Sequence, residues 1–140
     1  MQVIRIKHDG KRPETFPLAD GISELKTDED VFTRLEELLQ AGDGGLRIQC
    51  PQRLNANLKD ERTGIYFIIS NSKADIPNML ASVCFNFKET VSGDAYVVSM
   101  DTDGKGGFTG FNFSQKDIDE AMWQINGYAD ILMLLANIRD

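Results

Sequence analysis

The stretch Ser114–Arg139, SQKDIDEAMWQINGYADILMLLANIR, is the longest in the chain that reads as one helix, and its pattern governs the fold class. Ser114 is placed to cap it, with Asp117 three residues on as a short variant of the capping-box acid. At 100° per residue, Ile118, Ala121, Met122, Ile125, Ala129, Leu132, Met133 and Ala136 share one face, as a helix lying on a core requires. Ile131, Leu134, Leu135 and Ile138 fall roughly opposite, and Gly127 and Trp123 continue that line upstream. A helix apolar on two sides needs two partners, its own sheet and something else.

Upstream, Gln2–Lys7 alternates and reads as a strand, and His8–Gly21 as a loop with a short extended piece around Phe16 and Leu18. Thr27–Ala41 is a helix: Thr27 caps it, Asp28-Glu29-Asp30 puts negative charge at the positive end of its dipole, and Gly42 is placed as the residue that ends it. Leu46–Cys50 is a strand, Gln52–Thr63 a loop or irregular edge strand, and Gly64–Ser70 a central strand, because Ile65-Tyr66-Phe67-Ile68-Ile69 is apolar on both faces. Met79–Glu89 alternates, Val83, Phe85 and Phe87 against Ser82, Cys84, Asn86 and Lys88. It is expected to form a hairpin with Ala95–Met100 across the turn Val91–Asp94. Phe108–Phe113 is a last short strand after the turn Asp101–Gly107. The sum is a single α+β domain over residues 1–140. It has an antiparallel meander sheet of five to six strands, with two main helices, about 27–41 and 115–139, packed on one face.

Charge narrows the function classes. Fifteen Lys and Arg against 22 Asp and Glu give a net charge of −7, which argues against a nucleic-acid binder that must neutralise phosphates. The same balance suits a basic protein partner, since complementary charge speeds encounter. No apolar run approaches the roughly 18 residues a membrane helix needs, and the N-terminus lacks a signal-peptide core, so a cytoplasmic protein without membrane contact is expected. Two cysteines, Cys50 and Cys84, are too few for a disulfide scaffold, and Cys50 continues the apolar alternation of Leu46 and Ile48 as a small core residue.

Chemistry-bearing motifs are weak. Asp101-Thr102-Asp103-Gly104-Lys105-Gly106-Gly107-Phe108 resembles the opening of an EF-hand calcium loop. Lys105 takes a ligand position, however, Asn112 stands where a bidentate Glu should close the site, and a strand precedes it. A glycine-rich turn explains the same residues. His8 is the one histidine; neither Cys50 nor Cys84 has ligand spacing to it, and neither sits at a helix start where a thiolate is favoured. The paired acids Glu36-Glu37, Asp119-Glu120 and Asp28-Glu29-Asp30 lie on solvated helix faces or caps, where nothing shifts a carboxyl toward catalysis. No catalytic residue, cofactor or metal site is expected.

Trp123 contradicts its surroundings, an aromatic ringed by Lys116, Asp119, Glu120, Asn126 and Asp130. It is either an interface anchor or is covered by Phe16 and Leu18 of the N-terminal loop. In size, acidity and class the chain is similar to the small cytoplasmic α+β proteins that bacteria use as toxin immunity proteins or inhibitors. That resemblance carries no motif. It implies a non-enzymatic protein that binds a basic protein, such as a nuclease toxin, through Trp123, Asp119, Glu120, Asp130, Glu36 and Glu37. The competing expectation is a self-associating protein, a homodimer built on Gly127, Ile131, Leu134, Leu135 and Ile138. A small enzyme or ligand-binding domain on an open sheet face around Ser82, Cys84 and Asn86 ranks third.

Overall fold

A computed structural model describes residues 1–18, 27–42, 44–56, 64–103, 105 and 107–139, the side chains of 138 and 139 excepted. The chain is α+β. Its strands are β1 (Gln2–Ile6), β2 (Glu14–Pro17), β3 (Leu46–Gln49), β4 (Gly64–Asn71), β5 (Ala95–Thr102) and β6 (Phe108–Asn112). Its helices are α1 (Asp28–Leu39), α2 (Gln52–Asn55), α3 (Met79–Val83) and α4 (Gln115–Arg139). Every pairing is antiparallel, in the order β2-β1-β5-β4-β3. β6 pairs with the second half of β5, Ser99 to Thr102, while β1 takes its first half, Ala95 to Val97. Consecutive strands are therefore neighbours except across α1, which carries the chain from one edge of the sheet to the other.

The helices do not share one face. Ile4, Ile6, Tyr66, Ile68, Ala95 and Val97 pack with α2, α3 and α4, whereas Val3, Ile69, Tyr96 and Val98 pack with Val31 and Leu35 of α1. The physical reason was already present in the sequence: a central strand apolar on both faces needs a layer on each side. α1 begins with the Thr27–Asp30 capping box, as its sequence predicts. It ends two residues before the expected glycine. Gln40 adopts the left-handed conformation, and the Gln40 and Ala41 N–H groups donate to the Glu37 and Glu36 carbonyls in a Schellman closure.

Two further expectations fail. Gln52–Asn55 is a helical turn rather than loop or strand, and 57–63 lie outside the described residues. Met79–Glu89 is not a strand, so the expected hairpin and its open face do not exist. Asn78 caps α3 by accepting from the Ala81 N–H, and Asn86 closes the following turns in the left-handed region with a Schellman pair, Phe87 N–H to the Ser82 carbonyl and Asn86 N–H to that of Val83. Ser82 and Cys84, from the polar half of the apparent alternation, are buried all the same. The Ser82 hydroxyl donates to the Asn78 carbonyl and accepts from the Val91 N–H, so burial leaves it paired.

The first half of α4 is locked to the sheet. Tyr66 donates its hydroxyl to the Asp117 carbonyl at 2.6 Å, and Ser99 donates to the Asp117 carboxylate at 2.9 Å. Gly64 makes room for this, since a Cβ there would stand 2.6 Å from the Ser99 Oγ. Ala121, Ile125 and Ala129 then bury against the sheet. No helix among the described residues is long and apolar enough to cross a membrane.

Candidate binding face on the C-terminal helix

Beyond Asp130 the helix keeps its apolar composition but loses its cover. Leu134 is 60% exposed there, Leu135 51% and Ile131 49%, and upstream on the same side Trp123 is 79% exposed. These side chains share the outward face with Gly127, where an added Cβ would meet nothing within 4 Å. The result is a line of large side chains interrupted by a notch at Gly127. The side chain of Ile138 lies outside the described residues.

Two flanks frame the line. On one, Arg12 from the loop after β1 donates to Asn126 at 3.1 Å and to the Asp130 carboxylate at 2.5 Å. On the other, the Arg53 guanidinium lies 4.7 Å from the Tyr128 ring centre. Trp123, Gly127, Ile131, Arg53 and Ala56 border one shallow concavity there, of about 480 Å³. Toward the helix end, Leu132, Leu135 and Ala136 face Met79 and Phe87 across an apolar groove of about 530 Å³. Phe87 is 53% exposed, Met79 56%, and Phe87 holds φ 60, a region a bulky residue rarely adopts. Sequence reasoning missed both because it placed them on a strand. The available signal was Asn78 and Asn86, a capping residue and a helix-ending residue eight apart.

The predicted partner residues separate into two groups. Trp123, Asp119, Glu120 and Asp130 share α4, while Glu36 and Glu37 belong to α1 on the opposite side of the sheet. Asp119 accepts from Gln115 at 2.8 Å, and Glu37 pairs with Arg34 at 3.5 Å. The N-terminal loop does not cover Trp123: Leu18 is fully buried in the α1 layer, and Phe16 meets Tyr96 edge-on there.

The remaining motifs are occupied locally. Asp101 accepts from the Asn112 amide, and Asp103 from the backbone N–H groups of Lys105 and Gly107, so the two carboxylates serve a turn. His8 pairs through Nδ1 with Asp94 at 2.8 Å, beside a cleft of about 330 Å³ that Asp75 and Asn71 also line. Burial opposes ionisation of Asp94, but the His8 backbone N–H and ring together hold its carboxyl below the usual value. Cys84 caps the C-terminal end of α3, where burial pushes its thiol up to about 12. Cys50 is exposed, contrary to its expected core role, because β3 is an edge strand that ends before it. Among the described residues no three potential ligands converge on a metal position. No family model, curated protein or solved structure matches the chain.

Proposed function

We propose that the chain is a non-enzymatic protein-binding protein and that the outward face of α4 is its docking surface. The observation supporting this reading is Trp123, 79% exposed on α4 and in line with the exposed Ile131, Leu134 and Leu135. Large exposed apolar patches rimmed by polar groups mark interaction sites, and tryptophan is among the residues enriched at interface hot spots. The narrower reading, an acidic inhibitor of a basic toxin, draws on Asp119 and Glu120 beside Trp123 and on the net charge of −7. It gains less from Asp130, which Arg12 already engages, or from Glu36 and Glu37 on the other layer.

A photo-reactive phenylalanine analogue placed in turn at Trp123, Leu134 and Leu135, with Glu37 as the control position, tests the reading in the cell of origin. Protein adducts at the α4 positions and not at Glu37 support it, and their masses identify the occupant. No adduct above control at any α4 position overturns it.

A further inference from the structure

We infer that the occupant of this face is a second copy of the chain, packed antiparallel helix to helix about a twofold axis between Asp130 and Ile131; this rests on the docking surface proposed above. Three observations converge on it. Gly127, Ile131 and Leu134 are spaced by four and then three residues, with position 138 four further on, which is the seam spacing of paired helices. That seam is matched by another helix of the same spacing, and a second α4 supplies one.

The shapes are self-complementary at one register. With the axis between residues 130 and 131, Leu134 of each protomer falls opposite Gly127 of its partner. The notch, which holds no atom within 4 Å of a Cβ placed there, receives the most protruding aliphatic side chain of the line. Trp123 falls opposite position 138, so the largest side chain lies over the partner's helix end. A parallel pairing would instead set notch against notch and Trp123 against Trp123.

The exposed area is of the order a dimer needs, and the acid nearest the axis is already paired. Trp123, Ile131, Leu134 and Leu135 on the outward face, with Met79 and Phe87 across the groove that flanks Leu135, together expose on the order of 700 Å², taking roughly 150–250 Å² for a whole large side chain. A stable interface takes about 800 Å² from each partner. Each chain carries −7, and Asp130 sits beside the proposed axis, but Arg12 pairs with it within the same protomer, so two bare carboxylates do not meet there.

Light scattering and sedimentation of the purified full chain give the first test. A concentration-dependent dimer is expected. Leu134→Glu, at a more than half-exposed site that the fold does not need, and Gly127→Leu, which fills the notch, should each weaken it at least tenfold while leaving circular dichroism unchanged and melting in dilute solution no lower than wild type. The register is tested by disulfide trapping in a Cys50→Ser background. Ile131→Cys, beside the axis, should cross-link to itself. Gly127→Cys should not, because its two copies stand about 10 Å apart along the helices, but should cross-link when mixed with Leu134→Cys. A wild-type chain that stays monomeric at roughly 100 μM, far above a micromolar dissociation constant, overturns the proposal. So does trapping of Gly127→Cys alone, the mark of a parallel pair. A monomer that still forms photo-adducts with a protein of different mass retains the docking surface and replaces its occupant.

Discussion

Arg12 reaches across from the loop after β1 to hold Asp130 on α4, a guanidinium–carboxylate pair 2.5 Å long between residues 118 apart in sequence. Both side chains remain about half exposed, 49% and 64%, so the pair adds little to the fold itself. Its consequence lies at the helix surface, where it cancels a charge next to the proposed twofold axis. Arg12→Ala should change unfolding free energy by less than about 1 kcal/mol. It should weaken self-association roughly three- to tenfold, with added salt restoring part of the loss by screening the two exposed Asp130 carboxylates. Sedimentation at low and high salt reads this out, and an unaltered dimer constant at low salt would remove Arg12 from the interface argument.

Asn78 is 1% exposed and satisfies three backbone groups with one side chain. Its amide donates to the carbonyls of Ile6 and Gly93, and its oxygen accepts from the Ala81 N–H at the start of α3. It thus ties β1, the turn before β5 and α3 into one unit. Asn78→Ala strands two carbonyls and a helix N–H, and should cost about 3 kcal/mol or more. Urea titration measures it; a loss under about 1 kcal/mol would mean that water replaces the amide without penalty.

The same residue marks how far the sequence could be read. Long periodic elements were legible: α4 and α1 from their apolar stripes and caps, β1, β4 and β5 from alternation or a doubly apolar run. Segment 79–89 was not, because Leu80, Ala81, Ser82, Val83, Cys84 and Phe85 are all buried, and complete burial erases the difference between a period of 2 and one of 3.6. With α3 misread, Met79 and Phe87 could not be placed beside Leu135, and half of the groove was invisible. The exposed face of α4 was legible because a helix with apolar residues all round its last turns states its own need for cover. The two-sided placement of the helices needed only the both-face pattern of Ile65 to Ile69 to be taken at its word.

The two thiols should behave differently. Cys50 is exposed, with its thiol raised only through partial burial, while Cys84 is enclosed at the C-terminal end of α3 with its thiol raised to about 12 from an ordinary 9.0. At pH 8 in native buffer, a thiol reagent should label one cysteine quickly and the second only after unfolding. The folded state retains the Cys84 proton where the unfolded chain has lost it. This stabilising term is therefore whole below about pH 9 and lost as pH rises toward 12. Tyr96 and Tyr128, also raised by burial, steepen the decline above pH 10. Cys84→Ala should flatten the alkaline limb of a stability–pH curve; rapid labelling of both thiols in the native protein would refute the enclosed site.

Gly127 offers the sharpest separation of fold from assembly. It sits inside a 25-residue helix, where glycine is less favourable than alanine by about 0.8–1 kcal/mol. Within one protomer nothing stands within 4 Å of an added Cβ, so the fold gives no reason to keep glycine there. In dilute solution, where only monomer is present, Gly127→Ala should therefore melt about 3–5 °C higher than wild type. At high concentration association lifts the melting temperature of the wild-type chain by mass action. The variant, with a shallower notch for the partner's Leu134, should gain less from concentration, and the two curves of melting temperature against concentration should converge or cross. Melting followed from sub-micromolar to several hundred micromolar protein checks both halves. A lower melting temperature in the dilute variant would mean that Gly127 is crowded within its own chain. Parallel curves would mean that no partner side chain enters the notch.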